Sequence, residues 1–181
     1  MTDDILLTAD DFKPYRDISE NIDFERLSPW ILEAQKQEMR TFLGPALYLA
    51  MITDYDGSGF VEERFINLWD GVDVPNKYRF YGLKPVIIYF AYSRFLKNQQ
   101  TVVTRYGVKH LTRDESEDAG AASLRTRLGE SQSMAVSLQN DVEKFIYDHR
   151  DQYPEFEIST ANTNQKNIYI PLRRGGRSGL F

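Results

Sequence analysis

Leu83-Lys84-Pro85-Val86-Ile87-Ile88-Tyr89-Phe90-Ala91-Tyr92-Ser93-Arg94-Phe95-Leu96-Lys97-Asn98 is the stretch whose reading decides the fold. Wound as a helix, it carries apolar side chains on nearly every side, and a helix of that kind belongs in the middle of a bundle. Ser93 and Arg94 interrupt its apolar run, which stays far below the roughly 18 to 20 residues of a membrane span. The elements around it must therefore supply apolar faces to cover it.

The clearest such face lies downstream. Ala121, Leu124, Leu128, Ser131, Ala135, Leu138, Val142 and Phe145 recur at alternating three- and four-residue steps, broken only by Ser131. That spacing predicts a helix of about 30 residues, some 45 Å long at 1.5 Å per residue. Two readings stay open for it: an ordinary core stripe, or a helix with one end projecting or packed on a neighbour. Tyr153-Pro154 closes it.

Upstream, punctuation marks three more helices. Ser28-Pro29 offers a hydroxyl cap followed by proline in a first turn, and the helix it opens sets Ile31, Met39, Phe42 and Leu43 on one side before stopping at Gly44. Pro45 restarts the chain into a short helix carrying Leu47, Leu49, Ala50 and Met51 and ending near Thr53. A third runs from about Phe60 to Asp70 with Val61, Phe65, Leu68 and Trp69 as its stripe and Gly71 after it. Val72 to Gly82, around Pro75-Asn76, suits a small hairpin, and the β-prone Thr101 to Val108 is expected to pair with it. The sum is an all-α class: a compact helical bundle with a long C-terminal helix, a small β-hairpin and an extended C-terminal arm.

The chain divides into an acidic segment, 1–27, a helical body, 28–154, and a polar arm, 155–181. The arm holds one apolar cluster, Ile168-Tyr169-Ile170-Pro171-Leu172, then Arg173-Arg174-Gly175-Gly176-Arg177. So polar a stretch cannot bury enough surface to order itself, and such segments usually gain structure by docking. Ile168, Tyr169, Ile170, Leu172, Arg173, Arg174 and Arg177 are accordingly the candidate partner-binding residues. Asn167 to Leu172 reads as an added strand or clip with Ile168, Ile170 and Leu172 alternating into pockets, and the arginines hold it to acidic surface.

With 181 residues the chain supports one domain with a real core. It contains no cysteine, which excludes disulfides and thiolate metal sites and leaves the redox compartment open. The acidic N-terminus lacks a secretory or transit pattern, so a soluble protein made in the cytosol is expected. A net charge of −5 argues against a dedicated nucleic-acid binder. Eight acids against Lys13 and Arg16 crowd residues 1–25, while residues 173–181 carry three arginines and no acid. Those ends either pair between neighbouring copies or are unrelated solvated tails.

Asp54-Tyr55-Asp56-Gly57-Ser58-Gly59-Phe60-Val61 matches the start of a calcium-binding EF-hand loop, with Asp54, Asp56 and Ser58 as oxygen donors. Its twelfth position, the bidentate glutamate of such loops, is Phe65. Glu62 and Glu63 fall at positions nine and ten and cannot replace it. A glycine-rich turn in which Asp56 or Ser58 caps the next helix is the main reading, and a weak metal site is the other. His110 and His149 stand apart without an i, i+4 partner and read as surface residues. No Gly-x-Ser-x-Gly elbow or phosphate-binding glycine loop occurs, and a single Arg-Gly box reads as a flexible basic tail. These residues announce neither an enzyme nor a cofactor site. They leave a small calcium- or nucleic-acid-binding helical module as the alternative to an assembly part.

Ser28-Pro29-Trp30-Ile31-Leu32-Glu33-Ala34-Gln35, Phe42-Leu43-Gly44-Pro45-Ala46-Leu47-Tyr48, and Gly82-Leu83-Lys84-Pro85 leading into Tyr89 to Leu96 and Thr101 to Gly107 resemble small helical proteins of tailed phages and prophages of Bacteroidetes. More distantly the layout is similar to phage head-tail connector, or adaptor, proteins over roughly residues 20–150. The resemblance implies a structural virion protein, a subunit forming a ring, often of twelve copies, between portal and tail at the capsid vertex. Its implied partners are other copies of itself, the portal protein, and a tail or stopper protein, with the arm docked on the portal or an adjacent subunit. It implies no catalytic residue, no cofactor and no membrane. An acidic ring also suits a conduit through which genomic DNA slides without specific binding. The implied location is the virion neck, reached from the host cytoplasm during assembly.

Overall fold

The computed structural model describes residues 5–15, 24–75, 78–98, 101–104, 107–110 and 121–156. Its core is helical. Helix α1 is Phe24–Ala34, and a π-helical segment, Gln35–Met39, joins it to α2, Arg40–Asp54. Helix α3, Glu63–Asp70, leads into an antiparallel hairpin of β1, Val72–Val74, and β2, Tyr78–Phe80. Helix α4 is Lys84–Asn98. A second hairpin pairs β3, Thr101–Thr104, with β4, Gly107–His110, and the long α5 spans Ala121–Asp148.

Helix α4 packs against both α1 and α5, and Val86, Ile87, Ile88, Ala91, Tyr92 and Leu96 are all buried in the core. The all-round apolar reading of this segment thus holds, with two polar accommodations. Ser93 is buried, and its hydroxyl donates to the Tyr89 carbonyl at 2.9 Å. Arg94 reaches out to Glu33 at 2.8 Å, Gln37 at 2.7 Å and Glu38 at 2.6 Å, which ties α4 to the end of α1 and the π-helical segment. The stripe of α5 also holds: Ser131, Ala135, Val142 and Phe145 are buried, and Leu124, Leu128 and Leu138 pack at the margin.

Several boundaries differ from expectation. Helix α1 extends upstream of Ser28-Pro29 to Phe24, so the predicted start lies inside it. Proline has no N–H for the carbonyl four residues back, and here the Ser28 hydroxyl donates to that Glu25 carbonyl at 3.5 Å. At Gly44 the expected break is present: its φ of 79° and ψ of 158° leave the helical region, so α2 is two helical pieces that meet at a kink, the second restarted by Pro45. Leu49 is exposed, and Tyr48 takes the buried place assigned to it. Helix α3 starts at Glu63, leaving Val61 outside it and 66% exposed, while Phe65, Leu68 and Trp69 keep their buried stripe.

The two hairpins form separate sheets; Thr101–Thr104 pairs with Gly107–His110 and not with the first hairpin. At the base of that first hairpin Gly71 and Gly82 meet back to back, at φ 88° and 83°. A Cβ on Gly82 would run into the Trp69 carbonyl oxygen and lie 2.6 Å from the Gly71 nitrogen. Glycine is required there by contact as well as by conformation. The hairpin is fastened by Phe80, whose ring stacks on Phe145 at 4.0 Å and 7°.

The acidic N-terminal segment is partly core. Leu6, Leu7 and Phe12 are buried, and the Leu6 N–H donates to the buried Gln35 side-chain oxygen at 3.1 Å. Asp11, in the turn Asp10–Phe12, accepts from the Thr8 N–H at 2.7 Å and the Thr8 hydroxyl at 2.8 Å, and receives Lys84 at 2.7 Å.

Candidate interaction surface

The chain turns sharply where α5 ends. The His149 N–H donates to Phe145 and Ile146 carbonyls, the Gln152 N–H to His149, and the Phe156 N–H to Tyr153, so two successive turns carry the backbone off the helix axis. His149 lies against the Phe145 ring at 4.4 Å, with Nδ1 2.9 Å from the Phe145 carbonyl oxygen. The imidazole thus lies against its own helix.

Tyr153 is the anchor of this turn. Its ring is 1% exposed, and its hydroxyl donates to the Arg64 carbonyl on α3 at 2.7 Å. Burial pushes the phenol well above its ordinary pKa. Arg64 closes the contact from the other side, donating to the Gln152 carbonyl at 2.9 Å and to the Glu155 carboxylate at 2.9 and 3.0 Å. The same guanidinium holds Glu62 at 2.6 Å and lies 4.2 Å over the Phe65 ring. The hydrogen bond that Arg64 donates to Glu155 raises the Arg64 pKa against the pull of burial. On Glu155, burial works upward, but Arg64 holds the carboxyl below its usual range. Phe156 then packs on Phe42, ring centroids 6.3 Å apart. Glu155 and Phe156, read from sequence as the start of the arm, are thus held on the helical body.

Beside this clasp lies the loop between α2 and α3 that resembles a calcium site. Asp56 accepts the Ser58 N–H and hydroxyl, each at 2.8 Å, and the Gly59 N–H at 3.0 Å, and these donors lower its pKa. Asp54 accepts the N–H groups of Val61 at 2.9 Å and Glu62 at 3.0 Å. It is Asp54, rather than Asp56 or Ser58, that satisfies donors at the start of α3, while Asp56 and Ser58 close the turn on itself. Both carboxylates are spent on the loop's own backbone. Among the described residues no three His, Cys, Asp or Glu side chains converge on a point that would hold a metal ion.

Around this loop Asp56, Glu62 and Glu63 are exposed, as are the apolar Val61 and Ile66, at 66% and 39%, while Asp54 is half-buried. A second exposed surface runs along the outside of α5, where Gln132, Ser133, Val136, Ser137 and Asn140 line a shallow open depression. Met134, Val136 and Tyr147 stand 45%, 51% and 55% exposed on that helix.

The sequence-predicted partner residues Ile168, Tyr169, Ile170, Leu172, Arg173, Arg174 and Arg177 lie outside the described residues, as does the side chain of His110. What sequence reading missed is the clasp. Tyr153-Pro154 marked a helix end, but nothing local announces that Tyr153 and Glu155 meet Arg64 some 90 positions earlier. Among the described residues, no helix is long and apolar enough to cross a membrane.

No curated protein and no solved structure gives a significant match to the chain. A family pattern does match, over residues 39–166, from the π-helical segment through the clasp, and by that span the chain belongs to DUF6712, a family of unknown function.

Proposed function

We propose that this protein is a structural subunit, not an enzyme, that assembles with copies of itself into a ring of the head-tail connector type in a phage particle. In this reading the ring, with twelve copies as the working number, sits between portal and tail or stopper proteins at the capsid vertex, and genomic DNA passes through it unbound. Subunits are made in the host cytoplasm and end in the virion neck.

The observation that carries the reading is the division of labour along α5. Its inner stripe is buried in the body, while Met134, Val136 and Tyr147 remain uncovered along its 28 residues. Exposed methionine and tyrosine are among the side chains enriched where proteins meet. The polar side chains that gather in the body point the same way. Arg94 with Glu33 and Glu38, Lys84 with Asp11, and Arg64 with Glu155 pair with one another at 2.6 to 2.9 Å as internal ties. The distant likeness of the layout to phage connector proteins suggests which ring this is, and the overall charge of −5 suits a channel that must not retain DNA.

Light scattering of the full chain over rising concentration, followed by electron microscopy of any oligomer, tests this. A closed ring is the expected product, and Val136→Glu, which places a charge on the outer face of α5, prevents it. A chain that stays monomeric at every concentration, or one whose Val136→Glu variant forms the same ring, contradicts the reading.

A further inference from the structure

We infer that the second hairpin of one copy adds to the first hairpin of the next copy, with β4 laid along the free edge of β1. The inference rests on the ring reading and adds a contact between neighbouring copies.

The two hairpins differ in how they are held. The first is fixed at its base by the close approach of Gly71 and Gly82 and by the Phe80 ring stacked on Phe145. Those contacts set β2 against α5 and leave β1 as the outer strand. Val72 and Val74 are half-buried there, and Asp73 between them is exposed. The second hairpin is different: among the described residues β3 and β4 pack closely on each other and on no other element. A two-stranded hairpin by itself is marginal in water, and further strands are what such a unit lacks. An outer strand presents unpaired N–H and C=O groups to which another strand can add.

Position decides whose strand it is. The hairpins flank the central helix: β2 ends at Phe80 before Lys84 opens α4, and β3 begins at Thr101 after Asn98 closes it. The 15 residues of α4 hold the two bases about 22 Å apart, and within one chain the hairpins form separate sheets. One copy therefore carries a strand acceptor at one end of α4 and a strand donor at the other. Two unlike surfaces of this kind join copies head to tail, which is the contact a closed ring requires.

Sequence selects β4 over β3 as the added strand. The outer strand reads Val72-Asp73-Val74, β4 reads Gly107-Val108-Lys109-His110, and β3, Thr101-Val102-Val103-Thr104, has no charge. Laid level with Asp73, Lys109 brings it the opposite charge, and opposite charges on adjacent strands favour pairing. Within its own hairpin Asp73 has only a long ion pair, 3.7 Å to Arg79, with both side chains exposed, so the carboxylate keeps room for a second cation.

The chain contains no cysteine, so Asp73→Cys/Lys109→Cys introduces its only two thiols. Full-length chains of this variant, half of them labelled with heavy nitrogen, are mixed at a concentration that assembles and oxidised gently. Mass spectrometry of the linked peptides should show the disulfide joining labelled to unlabelled chains. Disulfides within single chains alone, or none at all, overturn the inference. In the native chain a carbodiimide, which condenses a carboxylate with an amine in contact, should join Asp73 to Lys109 between copies, a reading that does not depend on the variant folding. Failure to find that amide overturns the inference as well. Microscopy of the native chain reads the ring separately. A ring without these links removes the hairpin contact alone, whereas links between copies without a ring leave the contact standing and remove the ring.

Discussion

Tyr153 gives the sharpest test of how the end of α5 is fastened. Tyr153→Ala removes a ring that is 1% exposed and packed near Phe145, 6.2 Å between centroids, together with the hydroxyl that donates to the Arg64 carbonyl. Emptying a buried aromatic site of this size costs about 3–5 kcal/mol. Tyr153→Phe keeps the ring and loses only the hydrogen bond. The Arg64 carbonyl lies in the first turn of α3, where the helix offers it another N–H, so the loss should be about 1 kcal/mol. For a chain of this size each kcal/mol moves the melting midpoint by about 2–4 °C. Denaturant unfolding followed by the fluorescence of buried Trp69 reports both variants on one scale. The Ala variant should fall several-fold further than the Phe variant. If it loses no more than about 1 kcal/mol, the turn after α5 is not part of the cooperative fold, and the clasp described above is wrong.

Other outcomes follow from the same geometry. Gly82→Ala should cost about 3 kcal/mol or more, because its methyl meets the Trp69 carbonyl, whereas Gly44→Ala, with open space around it, should cost only about 1–2 kcal/mol for its positive φ. Paired melting curves that fail to separate the two would refute the contact argument. Ser131→Ala should stabilise the protein by about 1 kcal/mol, since it removes a buried hydroxyl that has no hydrogen-bond partner among the described residues; a loss of stability would mean that the hydroxyl is satisfied in solution. Calcium at millimolar levels should leave the melting temperature where it is, because Asp54 and Asp56 already serve the loop's N–H groups; a rise of several degrees would restore the loop as a cation site. Above the ordinary phenol value of 10.0 the unfolded chain ionises while Tyr153 stays protonated in the fold, so stability is full below that pH and declines above it. An alkaline limb of equal steepness in Tyr153→Phe would assign the decline to other groups, Tyr15 and Tyr78 first among them.

What could be read from sequence was what periodicity encodes. The central α4 and the stripe of α5 repeat an apolar pattern over many turns, and the core honours both. Boundaries were less legible because they depend on exchange of hydrogen bonds. Ser28-Pro29 looks like a helix start, yet the Ser28 hydroxyl takes up the carbonyl that proline leaves free, and the helix continues through it. The π-helical turn at Gln35–Met39 has no apolar signature, and its first residue, the buried Gln35, receives the Leu6 N–H from 29 residues away, a pairing no local pattern announces. Val61 fits the helical stripe of α3 by spacing but falls outside the helix, because Asp54 binds its N–H in the preceding loop. The Arg64 clasp was invisible for the same reason: its partners are distant in sequence, and charge, not hydrophobic spacing, selects them.

The central claim is that ring assembly needs the residues beyond the clasp as well as the outer face of α5, and ending the chain at Phe156 tests it most directly. That boundary keeps Tyr153, Glu155 and Phe156 on the body, so the shortened chain should melt with the full one and yet yield no ring under the microscope. A shortened chain that still closes into the same ring would contradict the account.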